Sequence, residues 1–333
     1  MVLAKDEARN LPQFLEQLAK QSLCVSKDVE LTLYLAANGC TDRTALVAQE
    51  QAQKYLHPNG VTSQIFDWER PGKSRSWNRL VHDVLPPGLD YIMAMDADIE
   101  FANTSILAAM LDHIRTSPTM QVLSGSPAKD TVRKARPTLV DRFSNSASRL
   151  AGYTGVINGS LYLATADCLK EIWLPDQTPG EDGFLNAMVM TRGFSRPALP
   201  NVVMQMPEPT HYFEGHSPAN YFAHEKRMIV GTMINRWIFE YLHSLRLSEP
   251  AGPLIQRLNR EQPNWVEMII AERSLGKWLI PNDLLFRRLA PKHGLSMSYL
   301  LRLPILVLAT ALTFPPALEA NKALKRRGAS SLW

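Results

Sequence analysis

"YIMAMDADIEF", residues 91–101, sets Tyr91, Ile92, Met93 and Met95 in an apolar run and closes it on two carboxylates one position apart, Asp96 and Asp98. A short apolar run of this kind, bounded by polar residues, reads as a fully buried strand. In an open sheet covered by helices, ligands bind at the carboxyl ends of the strands. Burial of the run therefore delivers two acids rigidly to the mouth of a site. Hard oxygen ligands of this type suit Mg2+ or Mn2+ bound together with a diphosphate. Taken by itself, Asp-x-Asp is equally a solvated turn or a helix cap.

Upstream of this strand, helical and extended patterns alternate. "LPQFLEQLAKQSL" (11–23) repeats apolar residues at helical spacing, and "VELTLYL" (29–35) alternates as a strand does. "TDRTALVAQEQAQKYL" (41–56) predicts a helix with Thr41 as its N-cap, "VTSQIF" (61–66) a short strand, and "SRSWNRLVHDVL" (74–85) another helix. The alternation predicts an α/β fold, a mainly parallel mixed sheet flanked by helices. Downstream, polar "SGSPAKDTVRKARP" (124–137) reads as a mobile connection and "GVINGSLYL" (155–163) as a strand entering an edge or mixed region. "PANYFAHEKRMIVGTMINRWIFEYL" (218–242) reads as a long amphipathic helix, with helices and Pro or Gly breaks beyond it.

The 333 residues, 45% of them hydrophobic, suffice for one large or two ordinary domains. We expect a sheet domain over residues 1–240 and a helical C-terminal extension, apolar and basic, over 241–333. A formal net charge of +4 is small for this length and gives no case for a nucleic-acid partner. Cys24, Cys40 and Cys168 are scattered, without disulfide or zinc spacing, which fits a reducing compartment. The charged opening "MVLAKDEARN" does not read as a signal peptide, so a cytoplasmic location is expected. From Leu284 onward, eight basic side chains stand against the single acid Glu319. Within that segment "LPILVLATALTFPPAL" (303–318) carries no charge; as a helix it would reach roughly 24 Å, short of a hydrocarbon core of ~30 Å. Either it is a buried terminal helix or its flanking Lys and Arg meet anionic lipid at the inner face of a membrane.

Three further stretches carry chemistry. "NGCTDRT" (38–44) follows a strand; Gly39 allows a tight bend, and the Asn38 amide can pair with a nucleotide base. "RPGKSRSWN" (70–78) fails as a P-loop, because Asp67 stands where the first glycine belongs, but Lys73 remains a point charge suited to a diphosphate. "PGEDGF" (179–184) opens a helical pattern with Glu181 and Asp182; acids favour a helix N-terminus on dipole grounds alone, and Asp182 can equally serve as a general base toward an incoming hydroxyl.

The order of these pieces resembles family 2 glycosyltransferases, inverting enzymes of the GT-A fold. "AKDEARNL" is similar to that family's opening Asn/Asp-Glu element, "NGCTDRT" to its Asp-Gly-Ser-x-Asp-x-Thr turn, and "GKSRSWN" to its Gly-Lys segment. "DADIEF" resembles its Asp-x-Asp motif, "GEDGFL" its Glu-Asp motif, and "HEKRM" (224–228) its Gln-x-x-Arg-Trp. The resemblance implies that Ala4, Glu7, Asn38, Lys73, Asp96 and Arg227 hold a nucleotide-sugar donor. It implies that Asp98 and Asp96 hold Mg2+ or Mn2+ and that Asp182 is the catalytic base. His211 in "PTHYF" is a further metal contact or a buried structural histidine. "HEKRM" keeps Arg227 but lacks the family's tryptophan, and Thr165 stands where many relatives carry arginine. The arginine's replacement removes one possible phosphate or acceptor contact, while the missing tryptophan, with the absence of several long apolar spans, favours transfer of one sugar to a hydroxyl acceptor, lipid-linked or near a membrane surface, over polymerisation. The competing expectations are a sugar-nucleotide nucleotidyltransferase and a catalytically silent, membrane-associated nucleotide-binding protein.

Overall fold

The computed structural model describes residues 1–133, 155–213, 218–290 and 297–326. The chain divides into two compact units. One comprises Met1–Asp176, Glu181–Gly215 and Arg246–Arg257; the other comprises Gln177–Gly180, His216–Leu245 and Leu258–Trp333. The boundary expected near residue 240 falls inside a single long helix, Pro218–Ser244.

Among the described residues the first unit holds ten strands: β1 (Val2–Ala4), β2 (Thr32–Asn38), β3 (Thr62–Trp68), β4 (Tyr91–Asp96), β5 (Glu100–Phe101), β6 (Val122–Ser124), β7 (Pro127–Lys129), β8 (Leu161–Thr165), β9 (Val203–Gln205) and β10 (His211–Phe213). Seven of them form a sheet in the order β3-β2-β1-β4-β8-β6-β9, and β5-β10-β7 form a small second sheet. β1 runs parallel to β2 and to β4, β2 parallel to β3, and β6 parallel to β9; β8 is antiparallel to both neighbours. This is the mainly parallel mixed sheet, flanked by helices, that the alternation predicts. The chain adds β2 and β3 on one side of β1 and then crosses to lay β4 on the other. The crevice between the carboxyl ends of β1 and β4 is therefore a topological switch point, the place where open sheets bind ligands.

Among the described residues, the longer helices lying wholly in this unit are α1 (Leu11–Ala19), α2 (Thr44–Tyr55), α3 (Lys73–Arg79), α4 (Ile106–Arg115) and α5 (Glu181–Met190), with short helices at Ser22–Val25 and Ala166–Lys170 between them. α1 buries Leu11, Phe14, Leu15 and Leu18, a stripe at helical spacing. It stops short of the predicted Leu23. Gln21 is extended there, its side chain taken up by the Asn103 carbonyl and the Leu107 amide, while the Ser22 amide binds the Thr104 carbonyl. The Thr41 cap is also corrected. α2 starts at Thr44, whose amide binds Asp42 Oδ1 at 2.9 Å, and Thr41 donates to Asp6 instead. Asp42, one residue nearer the helix, reaches the end of α2 as an Asx turn and leaves Thr41 to the loop after β1. The strand predicted over 155–163 begins only at Leu161 and lies inside the sheet, between β4 and β6. The described part of the expected mobile connection carries β7, paired with β10, and a short turn at Asp130–Arg133; its remainder lies outside the described residues.

In the second unit the predicted long helix is α6 (Pro218–Ser244), against which α7 (Trp265–Arg273) packs. On α6 the buried Glu225 carboxylate meets Arg288 at 2.9 Å and Arg287 at 3.6 Å. The apolar tail forms α8 (Met297–Ala311), with Pro304 inside it, and α9 (Phe314–Lys325). Tyr299–Lys325 is long and apolar enough to cross a membrane by length and composition, yet only 22% of its window is buried.

Candidate active site

β4 emerges as the sequence predicts: Ile92, Ala94 and Met95 are buried, and the strand ends on Asp96. Its neighbour β1 pairs Leu3 with Asp96, which brings the loop after Ala4 alongside the two acids. Ala4 itself is buried, and its carbonyl accepts the Cys40 thiol. That loop is tied to the segment after β2 by several further contacts. Asp6 accepts from Thr41, the Ala8 amide binds Asp42 at 3.1 Å, and the Glu7 amide binds Thr44 Oγ1 at 2.8 Å. Asn38 closes β2, buried, with its Oδ1 accepting from Ser76 on α3 at 2.9 Å. The bend after it needs glycine. Gly39 has φ +61°, and a Cβ there would lie 2.7 Å from the Pro71 nitrogen.

α3 then places Lys73 at its first turn, where Nζ meets Asp96 Oδ1 at 3.0 Å and Glu181 Oε1 at 2.9 Å. One cation thus joins the end of β4 to the start of α5. Burial would depress its pKa, but the Glu181 and Asp96 carboxylates hold the Lys73 ammonium well above its ordinary value. For Asp96 burial wins over Lys73, and its pKa is raised. Asp182, beside Glu181, accepts from the Gly183 amide at 2.7 Å, and burial together with the Glu181 charge raises its carboxyl from 3.8 to about 6. Gly159 lies against both acids: a Cβ there would stand 3.3 Å from Asp182 Cβ and 3.4 Å from Glu181 Oε1. Lys73, Asp96, Glu181, Asp182 and Gly159 line one cavity with Trp77 and Tyr162, whose hydroxyl takes the Trp77 indole N–H at 2.7 Å.

On the β1 side Glu7 is half-buried, with its carboxylate accepting from Asn10 at 2.7 Å. Burial raises its pKa, Asn10 opposes this, and the charges of Asp98, Asp96 and Asp42 add to the rise. The Glu7 carboxyl therefore feels the charges of Asp98 and Asp96. Asp98 is exposed, in the turn after β4. The acids on this side offer carboxylate oxygens, the ligand type that a hard divalent cation takes, and Asp96 is already paired with Lys73.

His211 is fully buried on β10. One ring nitrogen meets Ser160 Oγ at 2.7 Å and the other Thr210 Oγ1 at 2.8 Å, and burial lowers its pKa to about 4. It stands near the site, since the Ser160 carbonyl accepts the Asp96 amide at 2.9 Å, but ligation would cost it a hydroxyl partner. Among the described residues, ligand atoms within 4.8 Å of one another belong to Asp6, Cys40 and Asp42; Asp96, Asp98 and His211 do not converge so closely. The Asp6 and Asp42 carboxylates are already engaged by the turn amides named above. Arg227 lies on α6 in the second unit, exposed, as is Met228 beside it.

The structure thus gathers Lys73, Asp96 and Asp182 in one cavity. Sequence reasoning missed Gly159, Ser160, Tyr162 and Trp77. Gly159 and Ser160 had a signal, a polar pair at the entrance of an apolar strand; the Trp77–Tyr162 contact had none.

No protein family's profile matches the chain, and no curated protein does. Among solved structures it is similar to glucosyl-3-phosphoglycerate synthase from Mycobacterium tuberculosis in complex with Mn2+, uridine diphosphate and glucosyl-3-phosphoglycerate, at 15% identity over 70% of this chain and 78% of that one, with a TM-score of 0.46. The same enzyme with Mg2+ and uridine diphosphate gives 16% identity, the same coverage and a TM-score of 0.47. The likeness to S. aureus TarS covers 98% of this chain but only 54% of that one, at 14% identity and a TM-score of 0.45.

Proposed function

We propose that the chain is a metal-dependent inverting glycosyltransferase. It moves one sugar from a UDP- or GDP-sugar to a hydroxyl acceptor, lipid-linked or membrane-proximal, at the inner face of a membrane. The observation that carries this reading is the Lys73 bridge, which joins the acid at the switch point, Asp96, to the helix start that presents Asp182. A carboxyl raised to about 6 is still ionised at neutral pH and more basic than an ordinary aspartate, which is what proton abstraction from a hydroxyl asks for. Asp182 accepts the acceptor's proton as its oxygen bonds to the anomeric carbon, and the bond to the nucleoside diphosphate breaks with its electron pair leaving on phosphate. Lys73 offers a positive charge to that phosphate. Ala4, Glu7 and Asn38 bind the nucleotide end. Asp98, with Asp96, holds Mg2+ or Mn2+, which when bound neutralises charge on the departing diphosphate.

The test is turnover of UDP- and GDP-sugars with Mn2+ by wild type and Asp182→Asn. The expected result is slow hydrolysis by wild type and a loss of about 100-fold or more in the variant, with nucleotide affinity unchanged. A fully active Asp182→Asn, given an identified acceptor, overturns the assignment.

A further inference from the structure

The two halves of the apolar tail meet different surroundings. α9 packs along α6 and buries Ala317, Ala320 and Leu324. Its Asn321 accepts the Leu279 amide at 2.8 Å, and Lys325 donates to the Lys277 carbonyl. α6 carries Glu225, Lys226, Arg227, Arg236 and Glu240, the composition of a helix for water and not for hydrocarbon. α8 differs. Met297, Leu301, Ile305, Leu308 and Leu312 recur every three or four residues and are all exposed, Leu301 by 76%, so they form one bare stripe.

We infer that α8 lies in the plane of an anionic bilayer with this stripe sunk into one leaflet, while α9 stays on α6, so that the tail does not span. This deepens the membrane side of the proposed function and uses none of its chemistry. α8 has 15 residues, so it is roughly 22 Å long against a hydrocarbon core of ~30 Å. Lengthening it into α9 would strip α9 from α6 and draw Asn321, Lys322 and Lys325 into lipid, where unpaired polar groups are costly. The charges suit an anionic surface. Exposed Arg302 sits within the stripe's helix, and Lys322, Lys325 and Arg326 end α9 against the single Glu319. The loop that Lys325 grips exposes Leu275 by 79% and Trp278 by 42% on either side of Lys277, an aromatic and basic anchor of the kind found at lipid headgroups. A second copy is a poorer occupant, because a two-fold interface would set these cations against their own copies.

The experiment is flotation of the full chain, carrying a C-terminal epitope tag, with phosphatidylcholine vesicles with and without phosphatidylglycerol. Expected are flotation with the anionic vesicles, at least about tenfold weaker flotation without them, and removal of the tag by protease added outside. Leu301→Glu/Leu308→Glu is expected to abolish flotation with its melting curve and nucleotide-sugar hydrolysis unchanged, and Arg302→Glu to weaken it. A protease-protected tag overturns the in-plane arrangement in favour of a span. No flotation by wild type overturns the membrane reading and leaves donor turnover standing. Dimers in sedimentation that the double glutamate variant dissociates, without flotation, make a second copy the occupant.

Discussion

At the scale of single residues the decisive group is Asp182. Only its carboxylate form accepts a proton, so turnover of donor is expected to rise between pH 5 and 7 with an apparent pKa near 6, a profile that disappears if another group is the base. The same elevation bears on stability. A carboxyl whose pKa is higher folded than unfolded favours the fold most below the unfolded value of 3.8 and loses that contribution as pH rises through about 6. Asp182→Asn is therefore expected to melt above wild type at pH 7.5, by about 3 °C if about 1 kcal/mol is relieved, with the gap closing toward pH 4. Lys73→Met should act in the opposite sense. It leaves Asp96 and Glu181 without their shared cation and is expected to cost about 2 kcal/mol in denaturant unfolding, where an unchanged midpoint would count against the bridge. Asp96, Asp182 and Lys73 could be read from the sequence because each sits beside a strand or helix end marked by local pattern. The hydroxyl partner across the site from His211 could not, since Ser160 comes from the turn before β8, 51 residues away. Asn38 is similar: its residue type pointed to a base, and its carbonyl is held by Ser76.

At the scale of elements, apolar periodicity carried the sequence reading well for β4, α1 and α6, whose buried faces are written in their own residues; β2, read as an alternation over 29–35, runs instead over Thr32–Asn38 and is buried on both faces. Periodicity failed where a partner from elsewhere sets the boundary. α1 ends early because Gln21 is engaged by the turn at 103–107, and β8 starts only at Leu161, where β4 and β6 take it up in the mixed part of the sheet that the reading allowed. Neither partner leaves a trace in the local pattern. The turn after β2 offers a test. Gly39→Ala would force a Cβ against the Pro71 backbone at a left-handed φ, and we expect a loss of about 2–4 kcal/mol, seen as a lower melting temperature together with weaker nucleotide binding. A neutral Gly39→Ala would show that the loops after β2 and β3 are not closely packed.

At the scale of the whole molecule, a donor bound only by the folded chain raises its apparent stability by mass action. UDP or GDP with Mn2+ is expected to raise the melting temperature. Either component alone should do less, and EDTA should abolish both the shift and donor turnover without unfolding the protein. A nucleotide shift that EDTA leaves untouched would argue against cation-assisted binding. By internal packing, α6 groups with helices that follow it by tens of residues. The position of β8 also has a consequence for biosynthesis. A ribosome delivers β4 complete and then some seventy more residues before β8 arrives to cover its open edge, an interval of about 4–14 s at ~5–20 residues per second. Until then the nascent polypeptide offers a bare, oily strand to any neighbouring chain. Translation products that stop short of Leu161 should accordingly precipitate or be retained by chaperones, even though the first four strands are already in place.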